Sequence, residues 1–583
     1  MAYILKKHLV RKADFFEIGD KSIPAELFSV KNDAVDVGIL PDILPCKKSS
    51  LKISARSRDG LWLGGSGGAV LLKDDGESLF FTEGKDLYDQ NVRAILPVDS
   101  VVWILCGGGV SKITLEYMTC EEKAELLRNE TLNIIDRKGM VSEKRLAVDG
   151  DLTSGIKFSD SDNDGGFTAA YCIGEMFHYA VLRKKLGNDS PHVREVHESA
   201  VRALRACVLL MYIHGRDDGF VARTYVTADA PERTSGLWLR RQGDTATAVP
   251  TGRETDGKSH KIKAPVPDCL ASMYRDCGYT DDDIIYKADT SSDEITLHVI
   301  NIYWASRLLD GEEDRKLVDL GRAWLKKFAH HIIRNNFELV DFTGEPTTWA
   351  RWSERYFVSD DGWADACLNS AEALFYLKAA LAVCGRDETI EKAYNSLLEK
   401  GYAKITREHY WRMEQRACVN RWEIFEDIMY GDHMLCAMSY WGLWLCGALS
   451  DELKDGFRSW YYTSMCREHH PIYDFPFSMC VPEDKNDLSG AIRWLYDYPI
   501  TALNSFSPIE TRSDVVKKYR QSGQETEMSH LLPMNERYVK KYDTNPYRAY
   551  NFPVSRGKMV DSPAQYTTSY WMGRYFGIIE EEC

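Results

Sequence analysis

Four short stretches gather the residue types that acid–base or carboxylate chemistry needs. In Ser159–Gly166, SDSDNDGG, the residues Asp160, Asp162, Asp164 and Gly165 match the opening of a calcium loop. The twelfth position is Tyr171, where such a loop carries a bidentate Glu, so half the motif is present. Asp164 or a neighbour serves equally to cap the helix expected from about Thr168. In Ala288–Val299, ADTSSDEITLHV, Asp289, Asp293 and Glu294 crowd one helix start. Like charges at close range raise at least one carboxyl's pKa, which a general acid requires. Ser291 and Glu294 also have capping-box spacing, and that alone accounts for both.

The third stretch, Thr347–Ala380, sets Trp349, Trp352, Tyr356 and Trp363 in a charged loop before a helix that carries Asn369 and Glu372. Exposed aromatics suit the apolar faces of sugar rings, and Arg351 or Arg355 can grip a carboxylate through two hydrogen bonds. The competing reading makes the aromatics anchors of a helix pair, with Asn369 and Glu372 as core polar groups. The fourth joins His433, in the helical run Gly431–Cys436, to His469 and His470, placed at a helix C-terminus where a cationic ring is favoured. No His-x-x-x-His or His-Glu-x-x-His spacing occurs, so no metal site is expected. His433 is either a base or a satisfied core histidine.

Helices must position these residues. Apolar residues recur at three- and four-residue steps in four pairs: Thr168–Leu186 with Arg194–Ile213, Ser292–Leu309 with Glu312–Asn335, Ala364–Cys384 with Glu388–Tyr402, and Ile424–Cys446 with Asp451–Arg467. Stacked hairpins of this kind bury their shared faces as a solenoid or closed toroid. The expectation is a mainly α fold, an (α/α) toroid with a small N-terminal antiparallel β domain. Its open end would form the deepest pocket, lined by Asp164, Asp293, Arg351, Trp352 and Glu372.

Residues 1–115 read as that β domain, with two propeller-blade-like repeats, DGLWLGGSGGAVLL and DSVVWILCGGGVSKI, whose Trp62 and Trp103 lie forty-one residues apart. Their glycines suit hairpin turns better than a phosphate cradle, since no helix follows at P-loop spacing. Residues 116–150 form a connecting helix, capped by Thr119 and Glu122, and a linker. Residues 151–583 form the toroid, with a long loop at 215–289 and a wrapping C-terminal tail. The 73 basic and 88 acidic residues give a net charge of -15, which argues against nucleic acid as the main partner. Fifteen cysteines without a C-x-x-C pair read as free thiols in a reducing compartment. No h-region and no apolar run of about 18 residues appear, so a cytoplasmic protein away from membranes is expected.

The segments DGLWLGGSGG, DLTSGIKFSDSDNDGGFTAAY, DTSSDE, Thr347–Ala380 and SYWMGRYFGII, spread over most of the chain, resemble bacterial (α/α)-toroid carbohydrate-active enzymes with a propeller-like N-terminus. Among these the chain is similar to L-rhamnose-α-1,4-D-glucuronate lyases. It departs from them where an Asn-His-Ser-Asp-Asp-Glu run is expected: Met429–His433 reads MYGDH, which keeps Asp432 but places His433 beside it. The resemblance implies an enzyme that cleaves a uronic-acid glycan by β-elimination, without a cofactor unless calcium binds the aspartate loop. Arg351 or Arg223 would neutralise the substrate carboxylate, His433 or Tyr225 would take the proton, and Tyr356 would donate one. Trp349, Trp352, Asp164 and Asn369 would contact the sugar. A glycoside hydrolase using two carboxylates from Asp164, Asp293, Glu294 and Glu372 is the alternative. A non-catalytic glycan-binding protein is the third reading.

Overall fold

A computed structural model describes residues 2–582 apart from 156–159, 231–232, 250–257, 415–428, 507–511, 520–524, 539 and 551–553. Ser159 of the aspartate run and the expected helix start at Ile424 therefore lie outside the described residues.

The helices that carry the candidate residues, or pack against those that do, are α1 (Cys120–Glu130), α2 (Asp164–Leu186), α3 (Pro191–Leu210), α4 (Ser292–Leu308), α5 (Arg315–Arg334), α6 (Ala366–Cys384), α7 (Tyr430–Leu445), α8 (Pro471–Cys480) and α9 (Ala564–Tyr575). Local chemistry sets their starts. Thr119 and Glu122 form a reciprocal capping box at α1, and Ser291 and Glu294 form one at α4. At its other end α1 gives way after Glu130 to a wider turn, Thr131–Ile135.

Helices α2, α4, α6 and α7 are buried over most of their length, as their nearly all-round apolar sequences require. Helix α2 packs on α3, α4 and α9; α4 on α6 and α7; α6 on α7; α7 on α8; and α8 on α9. Glycines allow two of these crossings to be close. A Cβ at Gly174 of α2 would lie 2.9 Å from Thr568 Cα of α9, and one at Gly442 of α7 would lie 2.3 Å from the Phe375 ring of α6. Among the described residues α6 is the one helix long and apolar enough to cross a membrane, and 72% of its apolar window is buried inside the protein.

The expected fold class is corrected by the strands. The chain is 44% helix and 21% strand, in seven sheets among the described residues, and is a mixed α and β protein rather than a mainly α toroid with one small β domain. Residues 215–289, expected as a loop, contain a five-stranded sheet and the helix Asp268–Arg275. Its strands, Thr224–Thr227, Trp238–Gln242, Thr245–Val249, Ser259–Lys261 and Ile284–Lys287, are three to five residues long. Runs that short show no sustained alternation. The tail contributes strands too, and Ile579–Glu581 pairs in parallel with Tyr3–Leu5, so the two ends of the chain meet.

The N-terminal residues form two antiparallel sheets. In one, Leu51–Ser57, Gly60–Gly65, Gly68–Leu72 and Ser78–Phe81 are consecutive neighbours; in the other, His8–Glu17 pairs with Gly109–Met118, then Val101–Leu105 and Ala94–Val98. Each repeated segment is the hairpin of one sheet. Trp62 is fully buried against Phe81, and Trp103 lies against Phe16. Gly68 turns its hairpin at φ +94°, a conformation open to glycine. At the other turn the amides of Gly107 and Gly108 donate to the Asp89 carboxylate, so the protein's own side chain fills that anion-binding loop. All described cysteines are free thiols.

Candidate functional site

The N-termini of α2 and α4 meet the strand Thr224–Thr227. Asp164, the first residue of α2, is fully buried, and its Oδ2 accepts from Arg137 Nη2 at 2.7 Å and from Thr224 Oγ1 at 2.6 Å. The strand's alternation turns the next residue away. Tyr225 donates its hydroxyl to the Lys138 carbonyl at 2.7 Å, and burial pushes its phenol far above the usual range. The other carboxylates of the aspartate run also meet protein donors: Asp160 accepts from Thr234, and Asp162 from Lys287 and Thr234. Arg137 and Thr224 thus take one oxygen of Asp164, and Lys287 and Thr234 take oxygens of Asp162 and Asp160, that a calcium loop would turn toward its ion.

Gly165 is the reason the two helix starts approach so closely. A Cβ there would lie 2.9 Å from the Arg223 carbonyl oxygen, 3.0 Å from Glu294 Cγ and 3.3 Å from His298 Nε2. Glu294 is fully buried and closes the capping box, its Oε2 accepting from Ser291 Oγ at 2.8 Å. Its Oε1 lies 3.3 Å from Arg223 Nε. Burial raises its pKa to about 7; Arg223 opposes the rise and Asp293 adds to it. Capping and titration therefore coexist in one side chain. Arg223 is otherwise held by the carbonyls of Asp162 and Asp289.

Glu372 of α6 is also fully buried. Trp352 Nε1 donates to its Oε2 at 2.7 Å and Thr296 Oγ1, from α4, to its Oε1 at 2.8 Å. Burial pushes its pKa up to about 8 against these two hydrogen bonds, and Asp293 again adds to the rise. Asp293 is half-buried beside Glu294 at the start of α4; Asp164 adjoins Gly165, which lies against the Arg223 carbonyl and Glu294, and Glu372 bonds to Thr296 of the same first turns of α4.

The remaining candidates stand elsewhere or in other roles. Trp352 is fully buried, edge-on to Tyr376 and Phe328, and acts as a hydrogen-bond donor rather than a sugar platform. Trp349 is 43% exposed. Arg351 pairs with Glu338 at 3.2 Å and lies over the Tyr356 ring, so its fork already holds a carboxylate of the protein. Asn369 donates to the Arg351 carbonyl at 2.7 Å. Tyr356 is buried and donates to Asp365 at 2.9 Å. His433 accepts from Trp460 Nε1 at 2.9 Å, and burial lowers its pKa to about 3, which makes it a weak base. His469 stands at a helix C-terminus as expected, capping the turn Cys466–Glu468, whereas His470 begins α8, capping it by accepting from the Ile472 amide.

Arg137, Thr224, Thr296 and His298, none of them among the residues expected from the sequence, also stand at this locus. His298 follows Glu294 by one helical turn, is fully buried, and is lowered to about 3 by burial. The i, i+4 spacing of Glu294 and His298 was the available signal. A cavity of about 850 Å³ lies away from this locus, between the strand His8–Glu17 and the segment 496–505. No family model and no curated protein matches the chain.

Proposed function

We propose that this chain is a carbohydrate-active enzyme that hydrolyses a glycosidic bond by carboxyl acid–base catalysis, with Glu294 as proton donor and Asp293 as the partner carboxylate. One observation carries this reading: Glu294 is a buried carboxyl with its pKa raised to about 7, 3.3 Å from Arg223 and next in sequence to the half-buried Asp293, where two helices start. A carboxylic acid that keeps its proton near neutral pH beside a more accessible carboxylate is the pair that glycoside hydrolysis uses. Glu372, tied to Trp352 and to Thr296 of α4, is a second buried carboxyl bonded to the helix that carries Glu294. The resemblance of the aspartate run and DTSSDE to carbohydrate-active enzymes supports the substrate class. Free buried thiols support a cytoplasmic setting.

Hydrolysis comes ahead of elimination because the side chains offered for elimination are otherwise engaged: Tyr225 and Tyr356 bond to protein acceptors, and Arg351 pairs with Glu338. The test is a panel of neutral and uronic-acid oligosaccharides, followed both for new reducing ends and for the ultraviolet absorbance of a C4–C5 double bond. Reducing ends without that absorbance are expected, and Glu294→Gln should lower the rate at least about 100-fold. Appearance of the double bond would replace hydrolysis by elimination. Binding without turnover across the panel would leave a glycan-binding protein.

A further inference from the structure

Far from that locus, three helices bring two histidines and a carboxylate together. His178 of α2, His192 of α3 and Glu125 of α1 each offer one ligand atom, and these atoms lie within 4.8 Å of one another. Glu125 Oε1 is 2.9 Å from His178 Nε2 and 3.6 Å from His192 Nε2. Both rings thus turn the same nitrogen toward the same oxygen. Their other nitrogens face carboxylates as well: His178 Nδ1 lies 3.7 Å from Glu175, and His192 Nδ1 lies 3.7 Å from Glu195.

His178 is fully buried, and neither of its ring nitrogens makes a well-aligned hydrogen bond. That is costly for a buried polar ring unless something else satisfies it. The ring is fixed in orientation by stacking on Trp571 at 3.7 Å. Arg128 holds the outer carboxylates, donating to Glu175 at 2.8 Å and to Glu195 at 2.8 Å. Three carboxylates around one guanidinium leave an excess of two negative charges when both imidazoles are neutral.

We propose that Glu125, His178 and His192 form a binding site for a divalent transition-metal cation of the zinc class. Two imidazole nitrogens and one carboxylate oxygen are a ligand set that such ions favour. Glu175 and Glu195 stand 3.7 Å behind the rings, on the side where a metal-bound histidine gives its second N–H to a carboxylate. Glu125 and His192 are only partly buried, so water can reach the ion and fill a fourth position. The site lies fourteen residues along α2 from Asp164, about 21 Å at 1.5 Å per residue, and so stands apart from the carboxyl locus. Its effect is to clip the connecting helix α1 to α2 and α3.

The test uses the full chain, stripped with a chelator and titrated with Zn²⁺ alone by calorimetry, with metal content and Tm measured in parallel. One equivalent of Zn²⁺ bound with a rise in Tm is expected. The partly buried His192→Gln should abolish the uptake while the apo chain stays folded, and Glu195→Gln should weaken it about 10- to 100-fold. His197→Gln, at the separate His197, Glu313 and Asp314 group, should bind as the wild type does. The proposal is overturned if the stripped chain takes up no Zn²⁺, in which case the histidines act as protonated partners of their carboxylates. It is equally overturned if His192→Gln binds as the wild type does, or if His197→Gln abolishes uptake.

Discussion

At the scale of single residues, Glu294 and Glu372 couple stability to pH. Their folded pKa values, about 7 and about 8, lie above the ordinary 4.5, because burial penalises the ionised form. The native state therefore holds protons that the unfolded chain has released, and the stabilisation is complete below pH 4.5 and lost as pH rises through 7 to 8. Glu372→Gln removes one such titration. We expect it to match the wild type near pH 5 and to exceed it in stability by a few kcal/mol at pH 8, read from urea unfolding at both pH values. Ser291 separates the two roles of Glu294. Ser291→Ala loses a cap, at about 1 kcal/mol of stability, and also loses a hydrogen bond to the carboxylate. If Glu294 donates the catalytic proton, the alkaline limb of the rate profile should move upward in the variant. An unmoved limb would leave Glu294 a cap alone.

At the scale of elements, the site depends on how closely helices approach. Gly165→Ala would press a methyl against the Arg223 carbonyl oxygen, which is backbone and cannot swing aside. We expect a loss of roughly 1 to 3 kcal/mol, together with lower activity, because α2 must move away from Glu294. Gly174→Ala meets the Thr568 backbone at 2.9 Å and should destabilise by a similar amount. It lies more than two turns further along α2, so a fall in kcat equal to that of Gly165→Ala would show that helix spacing alone sets activity. Thermal melts and initial rates on both variants distinguish these outcomes.

At the scale of the whole molecule, the N-terminal sheets and the later part of the chain enclose the cavity of about 850 Å³. Lys85 lines it, with its ammonium nitrogen buried and lacking a hydrogen bond, and burial and then Arg11 lower its pKa to about 7. A lysine depressed from 10.5 binds its proton more weakly folded than unfolded, so its penalty is full below pH 7 and fades toward 10.5. Lys85→Met keeps the stem and removes the charge. It should raise stability by roughly 1 to 4 kcal/mol at pH 6 and by little above pH 10. An equal gain at both pH values would show that packing, not charge, is responsible.

What local chemistry dictates could be read from the chain alone. The capping boxes Thr119–Glu122 and Ser291–Glu294, the cores of helices such as those from Thr168, Ser292 and Ala366, and the glycine hairpins were legible because each signal spans a few residues. The rest needed the folded molecule. Strands of three to five residues between 224 and 287 carry too little alternation to read, and their pairing is what makes the class mixed α and β. Glu372 was legible as a polar residue on an apolar helix, but its hydrogen bonds come from Trp352 and from Thr296 on another helix, and only their burial raises its pKa. Arg351 looked free to grip a substrate until the strand Glu338–Val340 set Glu338 beside it. Likewise Glu125, His178 and His192 show no ligand spacing along the chain, because each comes from a different helix. Caps and turns act between neighbours in sequence, whereas pKa values and ligand sets arise between neighbours in space, and folding alone brings those together.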